Sequence, residues 1–177
     1  MARRDLLDIE NAEVLFKNFR GLEKRNDRNE VVNTAGTHTF AVVIEDPEMG
    51  NDMAAAGWNI KILAPNEDHP DPRHYLPVEV RYRNRDGSPK NWPPVVVKYE
   101  GNKKEELNED TIGVLDRARF LNCDLTINPR EWEDKSGETH IKAFLSEMHV
   151  KVEPLSRWGD KWGGYDEEDP GSEEMPF

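Results

Sequence analysis

The chain is short of the features that announce many protein classes. A single cysteine, Cys123, occurs in 177 residues; it excludes an internal disulfide and fits a reducing cytoplasm. No apolar run approaches the roughly 20 residues of a membrane-spanning helix. The basic start Met1-Ala2-Arg3-Arg4-Asp5 has no apolar segment behind it, as a secretory signal would require. A Gly-rich phosphate loop, a nucleophile elbow and a convincing acid/base pair are all missing, so no enzyme, catalytic residue or cofactor is expected. His69 and His74 share a segment with Asp68 and Asp71, but the spacing follows no standard ligand pattern, and no metal is expected.

Positive charge is scarce as well. The 24 Lys and Arg face 36 Asp and Glu, a net charge of −12. From Leu155 to Phe177 the acids Asp160, Asp166, Glu167, Glu168, Asp169, Glu173 and Glu174 outweigh Arg157 and Lys161, yet the rest of the chain is still acidic. A surface for a polyanion therefore has to come from gathering bases on one face rather than from bulk charge.

What the sequence does have is alternation. Val14 and Phe16 oppose Leu15, Lys17 and Phe19, and Thr37 to Ile44 alternates again. Asp46-Pro47 starts a helix that Gly57 stops. Trp58, Ile60 and Ile62 share the inward face of the next strand. Ala64 to Tyr75 reads as a Pro-rich surface loop, Val78 to Arg83 as a half-buried strand, and Val95 to Glu100 as another. Lys103 to Asp110 reads as a turn or short helix. Ala118 to Ile127 is a strand with Leu121, Cys123, Leu125 and Ile127 inward, ended by Asn128-Pro129. In the last strand, His140 to Glu153, Ile141, Ala143 and Leu145 hold one phase and Met148, Val150 and Val152 the other. That slip at Ser146-Glu147 predicts a β-bulge. Many short strands with one helix predict a mostly-β domain, a barrel or a sandwich.

The outward faces pair bases with aromatics: Lys17 with Phe19, Lys142 with Phe144, and nearby Lys61, Arg81 and Arg83. A ring can stack on a nucleobase while the cation meets the adjacent phosphate, which is what sequence-tolerant single-strand binding uses. The competing reading is that these rings cover a second small core. Trp132 either flanks a bound strand or plugs one end of the domain. Trp92, among prolines, is left undecided.

The end of the chain is distinctive. Trp158, Trp162 and Tyr165 are separated by glycines, acids follow, and the chain closes on Glu173-Glu174-Met175-Pro176-Phe177. This ending resembles the C-terminal tip of bacterial single-stranded DNA-binding proteins, where the last ring fills a pocket and the acids meet bases around it. The runs Asn18-Phe19-Arg20-Gly21, Gly57-Trp58-Asn59-Ile60-Lys61, Ile112-Gly113-Val114-Leu115-Asp116, Asn122-Cys123-Asp124-Leu125-Thr126-Ile127, Asn128-Pro129-Arg130-Glu131-Trp132 and Ile141-Lys142-Ala143-Phe144-Leu145 resemble, in order, those of phage-encoded single-stranded DNA-binding proteins.

The resemblance implies an OB-fold-like β-barrel over residues 1–154 with one short helix and extra strands, and a disordered acidic tail over 155–177. It implies sequence-independent coating of single-stranded DNA in phage replication, recombination or repair, in the host cell cytoplasm and without a membrane. The expected DNA contacts are Lys17, Phe19, Arg20, Lys61, Arg81, Arg83, Trp132, Lys142 and Phe144. Glu173 to Phe177 would dock phage or host replication and recombination proteins, and the tail would compete weakly with DNA. Monomer and dimer both stay open. An acidic DNA mimic that inhibits a host DNA-binding enzyme is the alternative; an RNA-binding OB protein is a third reading without a feature that reads a 2′-hydroxyl.

Overall fold

The computed structural model describes residues 5–154. In chain order the elements are β1 (Leu7–Ile9), β2 (Val14–Asn18), β3 (Lys24–Arg25), β4 (Val31–Asn33), β5 (His38–Ile44), α1 (Pro47–Ala56), β6 (Lys61–Leu63), β7 (Arg73–Val80), β8 (Val95–Glu100), β9 (Lys103–Leu107), a 3-10 turn (Ile112–Asp116), β10 (Phe120–Glu133) and β11 (Thr139–Val152). The domain is mostly β, as its alternating sequence demands. Among the described residues no helix is long and apolar enough to cross a membrane.

The main sheet runs β1-β10-β11-β7-β5-β2. Strand β11 is its axis. It pairs antiparallel with β10 along its length, touches β7 in parallel where Phe144 meets Glu79, and pairs in parallel with β8 from Glu147 to Val152. β1 and β2 are successive parts of one stretch of chain that turns from β10 to β5. Ala12 N–H donates to the Cys123 carbonyl at 2.7 Å, and Val43 N–H donates to the Glu13 carbonyl at 3.0 Å. Asn11, at φ 51°, makes the turn between the two ladders, so the hydrogen-bonded sheet does not close into a continuous barrel. The result is a partly open, mostly-β sheet rather than the closed barrel expected, with β1 and β2 acting as one wall.

The inward phase of β11 is as expected: Ile141, Ala143, Leu145, Met148, Val150 and Val152 are all buried, and the register with β10 slips at Ser146. Helix α1 begins with the Asp46 carboxylate accepting the Glu48 N–H at 3.0 Å. It ends at Gly57, whose φ of 109° suits glycine; a Cβ there would run into the Thr139 carbonyl. The close approach lets the Gly57 carbonyl accept the Ile141 N–H at 2.8 Å, fixing Trp58 beside the start of β11. Trp58 and Ile60 are half-buried against the core, as expected, but Ile62, expected on the same inward face, is exposed.

Several expectations are corrected. Phe19 is not outward: it is fully buried and stacks on Phe40 with centroids 5.2 Å apart. A bulge in β2 is the cause, because Phe16 and Lys17 together oppose one residue of β5 and Phe16 takes φ 52°. Leu15 and Phe16 therefore enter a second small cluster with Ala41, Val43 and Tyr75, while Phe19 drops into the main core. Leu121 is exposed, not inward, because a second bulge lies between Phe120 and Asn122. Strand β10 continues past Pro129 to Glu133. The β1 ladder ends opposite Ile127, so Pro129 lies where that side of β10 needs no donor. Lys103–Leu107 is a strand paired with β8, and the loop after Ala64 gives way to β7 at Arg73.

Candidate nucleic-acid interface

Two features share the outer face of β10, β11 and β7. The first is a groove of about 790 Å³ whose rim and floor include Lys24 and Arg25 of the β3–β4 hairpin, Trp58, Lys61, Trp132, His140 and Lys142. Trp132 and His140 are direct cross-strand partners, and their rings stack at 4.6 Å and 25°. Trp132 is 48 % exposed, so one face of the indole rests on the imidazole while much of the ring meets the groove. His140 Nε2 lies 2.8 Å from Asp134 Oδ2. The other Asp134 oxygen accepts the Ser136 hydroxyl at 2.6 Å and the N–H groups of Ser136 and Glu138 at 2.9 and 3.0 Å. The Ser136 hydroxyl, then His140, then the Glu138 N–H hold this carboxyl far below the ordinary carboxylate range. Asp134, Glu138 and His140 bring ligand-type atoms within 4.8 Å of one another, but the Asp134 oxygens already lock the turn, and no metal centre is read from them.

The second feature is a cation cluster further along β11. Phe144 points outward in phase yet is only 8 % exposed, because long basic side chains cover it. The Lys90 and Lys142 ammoniums each stand 5.4 Å from its ring centroid and the Arg130 guanidinium 5.6 Å. Arg130 and Lys142 are directly opposed across the β10–β11 ladder, a like-charge pairing that normally destabilises a sheet. Burial first, then Arg130 and Arg81, push the Lys90 ammonium pKa down, and Glu79 opposes them. Glu79 Oε1 lies 3.5 Å from Lys142 Nζ, while Oε2 is buried without a hydrogen-bond partner.

The structure thus brings Lys61, Arg81, Trp132, Lys142 and Phe144 to one face, with Lys17 at the border of the groove and Phe19, Arg20 and Arg83 elsewhere. Lys17 borders the groove, but its ammonium is directed to the Ala118 carbonyl at 2.7 Å and over the Phe120 ring at 4.3 Å. Phe19 is core. The exposed Arg20 guanidinium pairs with buried Asp116 at 2.9 Å. Arg83 pairs with Glu109 at 3.0 Å and donates to the Gly87 carbonyl. Glu173, Glu174, Met175, Pro176 and Phe177 lie outside the described residues. Lys24, Arg25, Lys90, Arg130 and His140 were not anticipated. Arg130 and Trp132, two residues apart, share the outward phase of β10, a signal that is readable once β10 is carried past Pro129.

Fold and face together define a mostly-β protein that gathers cations and rings on one open side despite an acidic total. The chain matches the family model of the phage ssDNA-binding domain over residues 1–155, and it belongs to that family. Among solved structures it is similar to the single-stranded DNA-binding protein from bacteriophage Enc34, at 12 % identity over 89 % of each chain with a TM-score of 0.44. It is also similar to gp2.5, a single-stranded DNA-binding protein encoded by bacteriophage T7, at 11 % identity over 95 % of this chain and 97 % of that one with a TM-score of 0.41. No curated protein sequence matches the chain.

Proposed function

We propose that the chain binds single-stranded DNA without sequence preference, using the outer face of β10, β11 and β7. Membership of the phage ssDNA-binding family supports the class of ligand. The observation that carries the location is the opposed pair Arg130 and Lys142, joined by Lys90 over the Phe144 ring. Like charges placed opposite one another cost stability, and an anion between them converts that repulsion into attraction. Phosphates fit the cations, and bases fit the open face of Trp132, which His140 backs. Ring stacking and phosphate contacts of this kind tolerate any base, which supports binding without sequence preference.

We assign the segment from Glu173 to Phe177 to recruitment of replication or recombination proteins, on its acidic and aromatic chemistry. The test of the binding surface is a gel-shift panel of the full chain with single-stranded DNA, duplex DNA and RNA. Tight binding of single-stranded DNA, lost on Arg130→Ala combined with Lys142→Ala while the fold persists, is expected. Failure to bind any of the three in the unaltered chain would overturn the reading in favour of the acidic DNA mimic.

A further inference from the structure

Trp92 is 92 % exposed, the most exposed large hydrophobic side chain among the described residues. A lone surface apolar residue needs no explanation by itself, so its position has to decide. It stands between Lys90-Asn91 and Pro93-Pro94, in the connection from β7 to β8. Proline fixes its own φ and confines the residue before it to extended backbone, so Trp92 is held on a stiff segment. That segment is tied at both ends. Lys90 N–H donates to the Tyr82 carbonyl at 3.1 Å, and Val95 opens β8 opposite Glu147 of β11.

β11 sets the geometry. Along it, in order, come His140 backing Trp132, then Lys142, then Phe144 beneath the three cations, then Glu147 opposite Val95. At about 3.3 Å per residue, His140 to Glu147 spans about 23 Å. Trp92 is two residues from Lys90, at most about 7 Å of chain, and the Lys90 ammonium is part of the cluster over Phe144. Trp132 and Trp92 therefore stand at opposite ends of the same cationic stretch.

We propose that Trp92 is a second base-stacking site, and that a bound strand runs along β11 from Trp132, over the cations above Phe144, to Trp92. The proposal rests on the single-stranded DNA reading of this face and extends it by one contact. The chemistry around Trp92 favours a nucleic acid over an apolar protein surface. Its neighbours along the chain are Lys90, whose ammonium joins the cation cluster over Phe144, Asn91 and two prolines, rather than apolar side chains.

The test is fluorescence anisotropy with end-labelled oligothymidylates of about 4 and about 16 nucleotides, bracketing the usual site sizes of such folds. The full chain is compared with Trp92→Ala, Trp92→Phe and Trp132→Ala. Because Trp92 packs on little, its variants should melt like the unaltered protein. The full chain should gain affinity on lengthening the oligonucleotide, and Trp92→Ala should forfeit roughly 5- to 150-fold of that gain. Trp92→Phe should restore most of it, whereas Trp132→Ala should weaken both lengths. An unchanged gain in Trp92→Ala overturns the proposal while leaving the parent reading standing. An unaltered chain that binds neither oligonucleotide overturns both.

Discussion

Glu79 is a carboxylate placed among cations that would otherwise be free to meet phosphate. One oxygen faces Lys142 at 3.5 Å, and the other is buried without a partner, an arrangement that costs desolvation for little return. In the proposed site this residue weakens binding, since a phosphate drawn to Lys142 also meets the negative charge beneath it. Glu79→Gln should therefore tighten single-stranded DNA binding by about fivefold at low salt, the effect of removing a repulsion of about 1 kcal/mol. Weaker or equal binding by isothermal titration would remove Glu79 from this role. Asp134 acts differently, as the lock of the β10–β11 turn beneath His140. Its carboxyl is held well below the ordinary range, so its contribution is present above the unfolded carboxylate pKa of about 3.9. It disappears only as pH falls through the lower folded value. Amide exchange in residues 134–140 should stay slow from neutral pH down to about pH 4 and quicken in Asp134→Asn at pH 7. Loss of protection in the unaltered chain near pH 6 would assign the lock to another group.

At the scale of elements, the sequence made visible whatever repeats and concealed whatever one residue changes. The β11 bulge at Ser146 was legible because apolar phases run cleanly on both sides of it, and the α1 boundaries were legible because Asp46, Pro47 and Gly57 each have one conformational use. The β2 bulge was not, because a single residue with positive φ, Phe16, leaves no trace in the alternation, and it moved Phe19 from the expected surface to the core. β9 was hidden because Lys103 to Glu106 all face water and only Leu107 is buried. The proposed face was half legible for the same reasons: the alternation pointed to Lys142, Phe144 and Trp132 as members of it, while Arg130 was lost behind Pro129 and Lys90 came from a loop. The end of β2 also depends on a residue far along the chain. The buried Asp116 carboxylate accepts the N–H groups of Phe19 and Arg20 at 2.7 and 3.1 Å and the Arg20 Nε–H at 2.9 Å. Asp116→Ala leaves the buried Phe19 N–H without its partner, while the exposed Arg20 guanidinium can turn to water, and should cost about 1–3 kcal/mol, the usual penalty for an unsatisfied buried donor. Chemical denaturation measures it, and a loss under about 1 kcal/mol would mean that water replaces the carboxylate.

For the whole molecule the question is how a chain of net charge −12 holds a polyanion. The proposed face answers it by local segregation: the cations over Phe144 and around the groove would act at contact distance, while the remaining acids repel through screening solvent. Salt therefore has two opposing effects, since it screens the repulsion and also weakens the contacts through counterion release. Each phosphate neutralised on a single strand contributes about −0.7 to the slope of log affinity against log salt. About four such contacts predict a slope near −3, flattened toward low salt where the body's own charge is least screened. A flat response across the whole range would mean that no cationic face is engaged.

The central position of β11 also bears on how the protein is made. Among the described residues it is the last strand to be synthesised, yet β7, β8 and β10 all wait for it as a partner. A nascent chain emerging from the ribosome can form the β5–β7 and β8–β9 pairs early, but these remain two fragments with exposed apolar faces until residues 139–152 appear. Assembly is thus completed in one late step rather than wall by wall, and the strand that lines the proposed DNA path is also the one that joins the fragments. Translation that stalls before Thr139 leaves neither a folded domain nor a face on which to bind.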